Sequence, residues 1–308
     1  MHCLDGYFGK VCPFRFLRAD IDLALNLDLT ALNWVRVQAW VGTVMSELPE
    51  FEAPPVVEVA LGVQFRILPA LRGLALAPLR DRWRSRYPGL EEQPPVPSTI
   101  EGSAPGGPVV QLNVGFPSMR YWFLTEDGSE LVQVQQDRLS VNWRGIDSGS
   151  SYPRYPAMRQ TFVDRFDDFS AFLSHEGLGT IRPTQVELNY VNAVSLEASG
   201  GGKLEQVLST WRAASKHHLG SPEQTRLEMS FHLKDLGSGP SRLWVQIGPG
   251  QGDPATPALL FTLTVRGMPT GEGLSEVLSF LDDAHGHLVR SFAELTTSRM
   301  HDIWRLRR

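Results

Sequence analysis

From Val57 to Phe65 the chain alternates: Val57, Val59, Leu61, Val63 and Phe65 are apolar, and Glu58, Ala60, Gly62 and Gln64 lie between them. A period of two predicts a strand with one buried face. The same pattern returns after Pro183. Set without gaps, "PPVVEVALGVQF" (54–65) overlies "PTQVELNYVNAV" (183–194), matching Pro54 with Pro183, Glu58 with Glu187 and Val59 with Leu188. Each strand starts after a proline, which suits strand entry but not a strand interior. Each also carries a glutamate on the face opposite its apolar residues.

A helical period follows each strand. "PALRGLALAPLRDRWRSRYP" is apolar at Leu71, Leu74, Leu79 and Trp83 and closes at Pro88. "GGGKLEQVLSTWRAASKHHLG" is apolar at Leu204, Val207, Leu208 and Trp211, with Gly220 as its stop. Strands then gather. The first half has "QLNVGF", "RYWFLTE", "ELVQVQ" and "RLSVNW", with Asp127-Gly128 as a hairpin turn. The second has "TRLEMSFHLK", "SRLWVQIG" and "PALLFTLTVRG". Each half ends in a helix: "AMRQTFVDRFDDFSAFLSHEG", then "GLSEVLSFLDDAHGHLVRSFAEL", followed past Thr296-Thr297 by a short "SRMHDIW". This order predicts an α+β protein of two strand–helix–antiparallel meander–helix pseudo-repeats, residues 54–182 and 183–308, with helices packed on one face of the sheet. The Pro- and Gly-rich stretches 94–108 and 248–257 read as loops.

Residues 1–44 hold no sustained period, and from Met45 the chain is acidic and polar before Pro54-Pro55, like a frayed terminus leading into a first strand. Met45 is therefore the expected translation start, and residues 1–53 the expected poorly ordered N-terminal extension. Both cysteines, Cys3 and Cys12, precede Met45, so a start there leaves no disulfide, cysteine zinc site or thiol nucleophile. With 42% hydrophobic residues, the 308-residue chain can bury a sizeable core. Its net charge of −5 argues against a general nucleic-acid binder. The best membrane candidate, residues 21–45, is broken by Asp22, Asp28 and Arg36 and lacks the parts of a signal peptide. A cytoplasmic protein without membrane contact is expected.

Chemistry is sparse. "DDAHGH" clusters Asp282, Asp283, His285 and His287, but helical residues two apart face different ways, so the cluster reads as a solvated helix face with local ion pairs. No metal or cofactor is expected. His217-His218 suits a helix C-terminus. "SGGGKLEQ" lacks the spaced glycines and Lys-Ser/Thr of a nucleotide loop, and "GPGQGDP" lacks the dinucleotide spacing. No Gly-x-Ser-x-Gly elbow is present. Glu58 and Glu187 remain the catalytic candidates: facing each other across a pseudo-twofold axis in a cleft, they would have raised pKa values. The plainer alternative leaves them in solvent or paired with Arg66, Arg182 or another cation. Tyr190 and Asn192, on the other face of their strand, are the ligand-binding candidates, and a buried asparagine needs hydrogen-bond partners. Tyr121, Trp122, Phe123, Trp143, Tyr152 and Tyr155 read as core and cross-strand pairs, not a base-stacking platform.

Several segments together resemble a sporadically distributed, functionally uncharacterised family of bacterial proteins. They are the opening "VVEV" strand, "DGSELVQVQQDRLSVNW", the strand with Glu187, Leu188, Tyr190 and Asn192, and an ending with His287, Ser291, Phe292, Leu295, Thr296, Thr297, Ile303 and Trp304. The resemblance spans about residues 54–305 and departs at "WRLRR", where family members have a glycine after the tryptophan. It implies a start near Met45 and carries no activity or catalytic residues. The leading expectation is a non-enzymatic binding module that uses its sheet, or the groove between repeats, to hold a co-encoded protein partner or a small ligand. The alternatives are a hydrolase with a carboxylate site at the repeat interface, and a hydrophobic-ligand carrier with an apolar cavity beneath the long C-terminal helix.

Overall fold

The computed structural model describes residues 47–102, 109–111, 119–146, 151–195, 197–198, 200–201, 203–212, 218, 224–250 and 258–307. The first strands are β1 (Glu50–Phe51), β2 (Val56–Phe65), β3 (Gly89–Gln93), β4 (Ser98–Ile100) and β5 (Val109–Gln111). They are followed by β6 (Arg120–Leu124), β7 (Glu130–Gln135), β8 (Arg138–Arg144) and β9 (Pro183–Ser195). The last are β10 (Leu227–His232), β11 (Arg242–Pro249), β12 (Ala258–Gly267) and β13 (Leu306–Arg307). The helices are α1 (Ala77–Trp83), α2 (Arg154–His175), α3 (Leu204–Val207), α4 (Leu274–Leu295) and α5 (Ser298–Trp304).

Nine strands form one antiparallel sheet in the order β10-β11-β12-β9-β2-β8-β7-β6-β3. β2 and β9 lie side by side near its middle. Beside each lies the last strand of the meander that follows it in the chain, β8 next to β2 and β12 next to β9. A single register row runs Leu90, Phe123, Val132, Val141, Leu61, Leu188, Val265, Leu243, Phe231 across all nine strands. The seven inner members of that row are buried, and only the two edge residues are exposed. Alternation thus places one continuous apolar surface on this face, called the inner face below. α2 packs on β8 and β2, α4 on β9 and β12, and the two helices touch each other. Phe65 meets Phe169 of α2, Trp83 of α1 stands edge-on to Phe123, and Phe261 meets Phe292 of α4.

Several expectations need correction. The alternation of β2 is interrupted by a bulge between Val56 and Glu58, so its regular buried face begins at Val59 rather than Val57. The helix expected over 69–88 shrinks to a 3₁₀ turn at Gly73–Leu76 and the short α1. Gly73 has φ +34°, which ends any approaching helix, and Pro78 stands in the first turn of α1. Leu74 is consequently 92% exposed instead of buried. The helix expected after Lys203 is the single turn α3. There Leu208 turns extended to bridge Thr296, while Thr297 N donates to Val207 O and Ser209 N to Leu295 O.

The stretch 94–108, read as a loop, contains β4, and β11 extends to Pro249. Residues 50–51, assigned to a poorly ordered extension, form β1. This strand pairs with β13, and its Phe51 is buried against Phe292 and Trp304. Met45, Cys3, Cys12, His217, Gly220 and most of "QLNVGF" fall outside the described residues. Among the described residues no helix is long and apolar enough to cross a membrane.

Candidate functional site

The bulge in β2 brings Val56 level with Asn192 and Val59 level with Tyr190 on β9. Over these positions α2 and α4 leave a cavity of about 370 Å³. Its inner end is polar. Tyr190, 4% exposed, points its hydroxyl to the hydroxyl of Tyr152 at 2.7 Å and to Nδ1 of His285 at 3.2 Å. The imidazole of His285 stacks on the ring of Tyr155, with centroids 4.0 Å apart and planes 5° from parallel. The Tyr155 hydroxyl donates to Asp282 Oδ1 at 2.8 Å, and Arg159 grips the same carboxylate at 2.8 and 3.0 Å. Asn192 is buried and donates from Nδ2 to Phe261 O at 3.0 Å, which supplies the partner a buried amide requires. Val56, Leu288, Val289 and Phe292 supply apolar wall.

Burial governs the protonation states here. It raises the Tyr152 phenol to about 12 and holds Tyr190 well above its ordinary value. Burial first, then the bond to Asp282, raises Tyr155 as well. The same desolvation lowers His285 to about 4, with Asp282 only partly opposing it. At neutral pH the inner end of the cavity is therefore three phenols, an amide and a neutral imidazole.

The mouth is shaped by the start of the described chain. Leu48, Pro49, Glu50, Phe51 and Pro54 line it. Arg154 Nη1 donates to Phe51 O at 2.8 Å, and its Nη2 donates to Glu52 O at 3.0 Å. Arg154 is the first residue of α2 and has φ +69°, a left-handed conformation that an L side chain adopts only against a steric penalty.

Tyr190 and Asn192 thus share one cavity wall. Glu58 and Glu187 do not enter this cavity; they lie on the opposite, outer face of the sheet. Glu187 is level with Gly62, so the two glutamates are four positions apart along β2, roughly 13 Å at strand rise. Glu187 accepts from Arg266 Nε at 2.6 Å, and Glu58 accepts from Asn142 Nδ2 at 2.9 Å. Among the described residues, no three His, Cys, Asp or Glu side chains are placed to share a metal ion.

His285 corrects the expectation of a solvated helix face. It is half-buried between α2 and β9, and the signal lay in the helical period. Val277, Leu281, Leu288 and Phe292 form the buried stripe of α4, and His285 falls between Leu281 and Leu288 on it. Tyr152 and Tyr155 stood out only as aromatics, and nothing in the sequence marks Arg154. No protein-family model, curated protein or solved structure matches this chain.

Proposed function

We propose that residues 54–182 and 183–308 are two related halves with helices on one face of a shared sheet, and that the chain is a non-enzymatic module that binds a small ligand between them. One observation carries this reading: a cavity of about 370 Å³ between α2 and α4, apolar along its sides and polar at its inner end. Ligand pockets of roughly 300–1,000 Å³ have this composition, with a few fixed polar groups in an apolar lining. The cavity also lies beneath the C-terminal α4, where a hydrophobic-ligand carrier needs its space. A small molecule fits this site better than a protein partner, because β1 and the guanidinium of Arg154 narrow its mouth. The hydrolase reading is weaker, since Glu58 and Glu187 sit apart and each already has a partner.

Titration of the full chain with the neutral fluorophore N-phenyl-1-naphthylamine tests the proposal. Saturable, one-to-one enhancement of emission is expected. Val289→Trp, which fills the cavity from α4, is expected to abolish it while leaving the circular dichroism spectrum unchanged. Absence of saturable binding, or equal binding by the filled variant, overturns the reading.

A further inference from the structure

We propose that the occupant of this cavity is an uncharged, largely apolar molecule bearing a hydroxyl group, an aliphatic alcohol or a phenol, whose hydroxyl extends the Tyr152–Tyr190–His285 chain. The inference rests on the cavity reading above and adds the chemical class of the ligand. Two geometric observations lead to it.

The first is where charge is placed. Among the described lining residues the charged groups are Glu50 and Arg154, both at the mouth. Both terminal nitrogens of Arg154 already donate to backbone carbonyls, and Glu50 faces Arg307 at 4.0 Å in an exposed position. The inner end offers Tyr152, Tyr190, Asn192 and His285, beside Tyr155, whose hydroxyl is already given to Asp282. An ammonium group reaching it would lose its water without gaining a counter-charge, and a carboxylate would gain only the Arg154 guanidinium, which stands 5.8 Å from the centroid of the Tyr152 ring and already holds two carbonyls. A neutral head group meets no such penalty.

The second is the count of donors and acceptors. The Tyr190 hydroxyl sits between Tyr152 and His285, so the chain can run in either of two directions. If His285 Nδ1 accepts, Tyr190 donates to it and Tyr152 donates to Tyr190. The Tyr152 oxygen then presents an acceptor to the cavity. If Nδ1 carries the proton, every bond reverses, and Tyr152 presents a free O–H. Asn192, whose Nδ2 is held by Phe261 O, adds its Oδ1 as an acceptor. A carbonyl satisfies only the second arrangement, and a lone N–H only the first. A hydroxyl both donates and accepts, so it pairs with Tyr152 in either direction while donating to Tyr152 or Asn192.

Displacement of bound N-phenyl-1-naphthylamine separates the possibilities, using four ligands with one alkyl chain: 1-octanol, octyl methyl ether, octanoate and octylammonium, at pH 7.5. Octanol is expected to displace the probe at a concentration about tenfold below that of octanoate or octylammonium, and about fivefold below that of the ether, which cannot donate. Tyr152→Phe is expected to remove the advantage of octanol over the ether while leaving displacement by the ether within about twofold. Tyr190→Phe, which cuts the chain one link deeper, is expected to act in the same direction and serves if the first variant folds poorly. Equal displacement by all four ligands, or a preference for octanoate, overturns the hydroxyl assignment and leaves the cavity reading intact. Failure of the fluorophore itself to bind removes both.

Discussion

Two neighbouring rows of the sheet, one residue apart, have opposite characters. The inner row from Leu90 to Phe231 is apolar at every position. The next row reads Glu91, Trp122, Gln133, Ser140, Gly62, Glu187, Arg266, Arg242, His232, and faces the other way. The inner row is sealed by helices and apolar burial. The outer row is held by side-chain pairing. Gln133 accepts from Arg120 and Trp122 and donates to Asn142, which donates to Glu58. Residues 96–101 then cross the end of the outer face, and its glutamines stand in for strand partners. Gln135 bonds both N and O of Val96, Gln64 accepts from Thr99 N, and Gln185 accepts from Glu101 N. The crossing ends at the fully buried carboxylate of Glu101, which accepts from Arg242, Arg266 and Trp244. Stability is thus spread over many residues on the inner face and concentrated in few on the outer.

The sharpest way to break that contrast is Glu101→Ala. Removing one partner of a buried ion pair while keeping the cations is expected to lower stability by about 3–5 kcal/mol in urea unfolding. Affinity of the cavity for N-phenyl-1-naphthylamine, read on the opposite face, is expected to stay within about twofold, because distant sites without shared partners act independently. A small loss of stability would mean that the crossing segment is dispensable. A large loss of affinity would mean that the two faces are coupled.

Next in size is a pH effect confined to the inner face. His285 is held near 4 in the folded chain against an ordinary value of 6.5, chiefly by burial. As pH falls, the unfolded chain takes up this proton first. The contribution of His285 is therefore complete above pH 6.5, declines from there to about 4, and amounts to about 3 kcal/mol. His287, also lowered by burial, acts in the same direction. Stability measured from pH 8 to pH 4 is expected to fall less steeply in His285→Gln than in the parent chain. Parallel curves would place the imidazole in solvent.

Much of this contrast was legible in the sequence, because a period of two is a statement about one sheet face at a time. "ELVQVQ" and "RLSVNW" coincide with β7 and the core of β8, and the period of "GLSEVLSFLDDAHGHLVRSFAEL" describes α4. Tyr190 and Asn192 were separable from Glu58 and Glu187 by parity alone. What stayed hidden depends on distant partners or on backbone conformation. The segment 96–101 that contains β4 follows Pro94 and Pro95, includes Pro97, and is held by glutamines from three other strands. The partners of Glu101 stand 141 to 165 residues further along the chain. His285 became interpretable only once α2 brought Tyr155 against it. The left-handed backbone of Arg154 leaves no trace in residue type.

Arg154 gives the third test, smaller than the first two. Arg154→Ala loses two charge-assisted bonds to the carbonyls of β1 and its neighbour but keeps the left-handed strain, for an expected loss of about 2 kcal/mol. Arg154→Gly loses the same bonds and relieves the strain, recovering about 1 kcal/mol of that loss. Thermal unfolding of the pair measures the difference directly. Both variants free the segment lining the cavity mouth, so both are expected to speed dissociation of the fluorophore. Glycine no more stable than alanine would show that the conformation carries no strain.

The smallest expected effects lie at the two glutamates that carry the sequence's catalytic signal, and their smallness is the finest test of the division between faces. Glu187 and Arg266 meet at 2.6 Å with side chains 32% and 19% exposed, and Arg266 keeps a second carboxylate in Glu101 when Glu187 is neutralised. Glu187→Gln is therefore expected to change stability by no more than about 1 kcal/mol. Glu58→Gln keeps an amide oxygen to accept from Asn142 Nδ2 and is expected to change it by about half that. Because both side chains point away from Tyr190 and Asn192, neither variant, nor the two combined, is expected to alter displacement of the fluorophore by octanol. A site built from both glutamates would instead lose its function in either single variant. A matched loss of ligand affinity in both would mean that the outer face, not the cavity, holds the working groups of this protein.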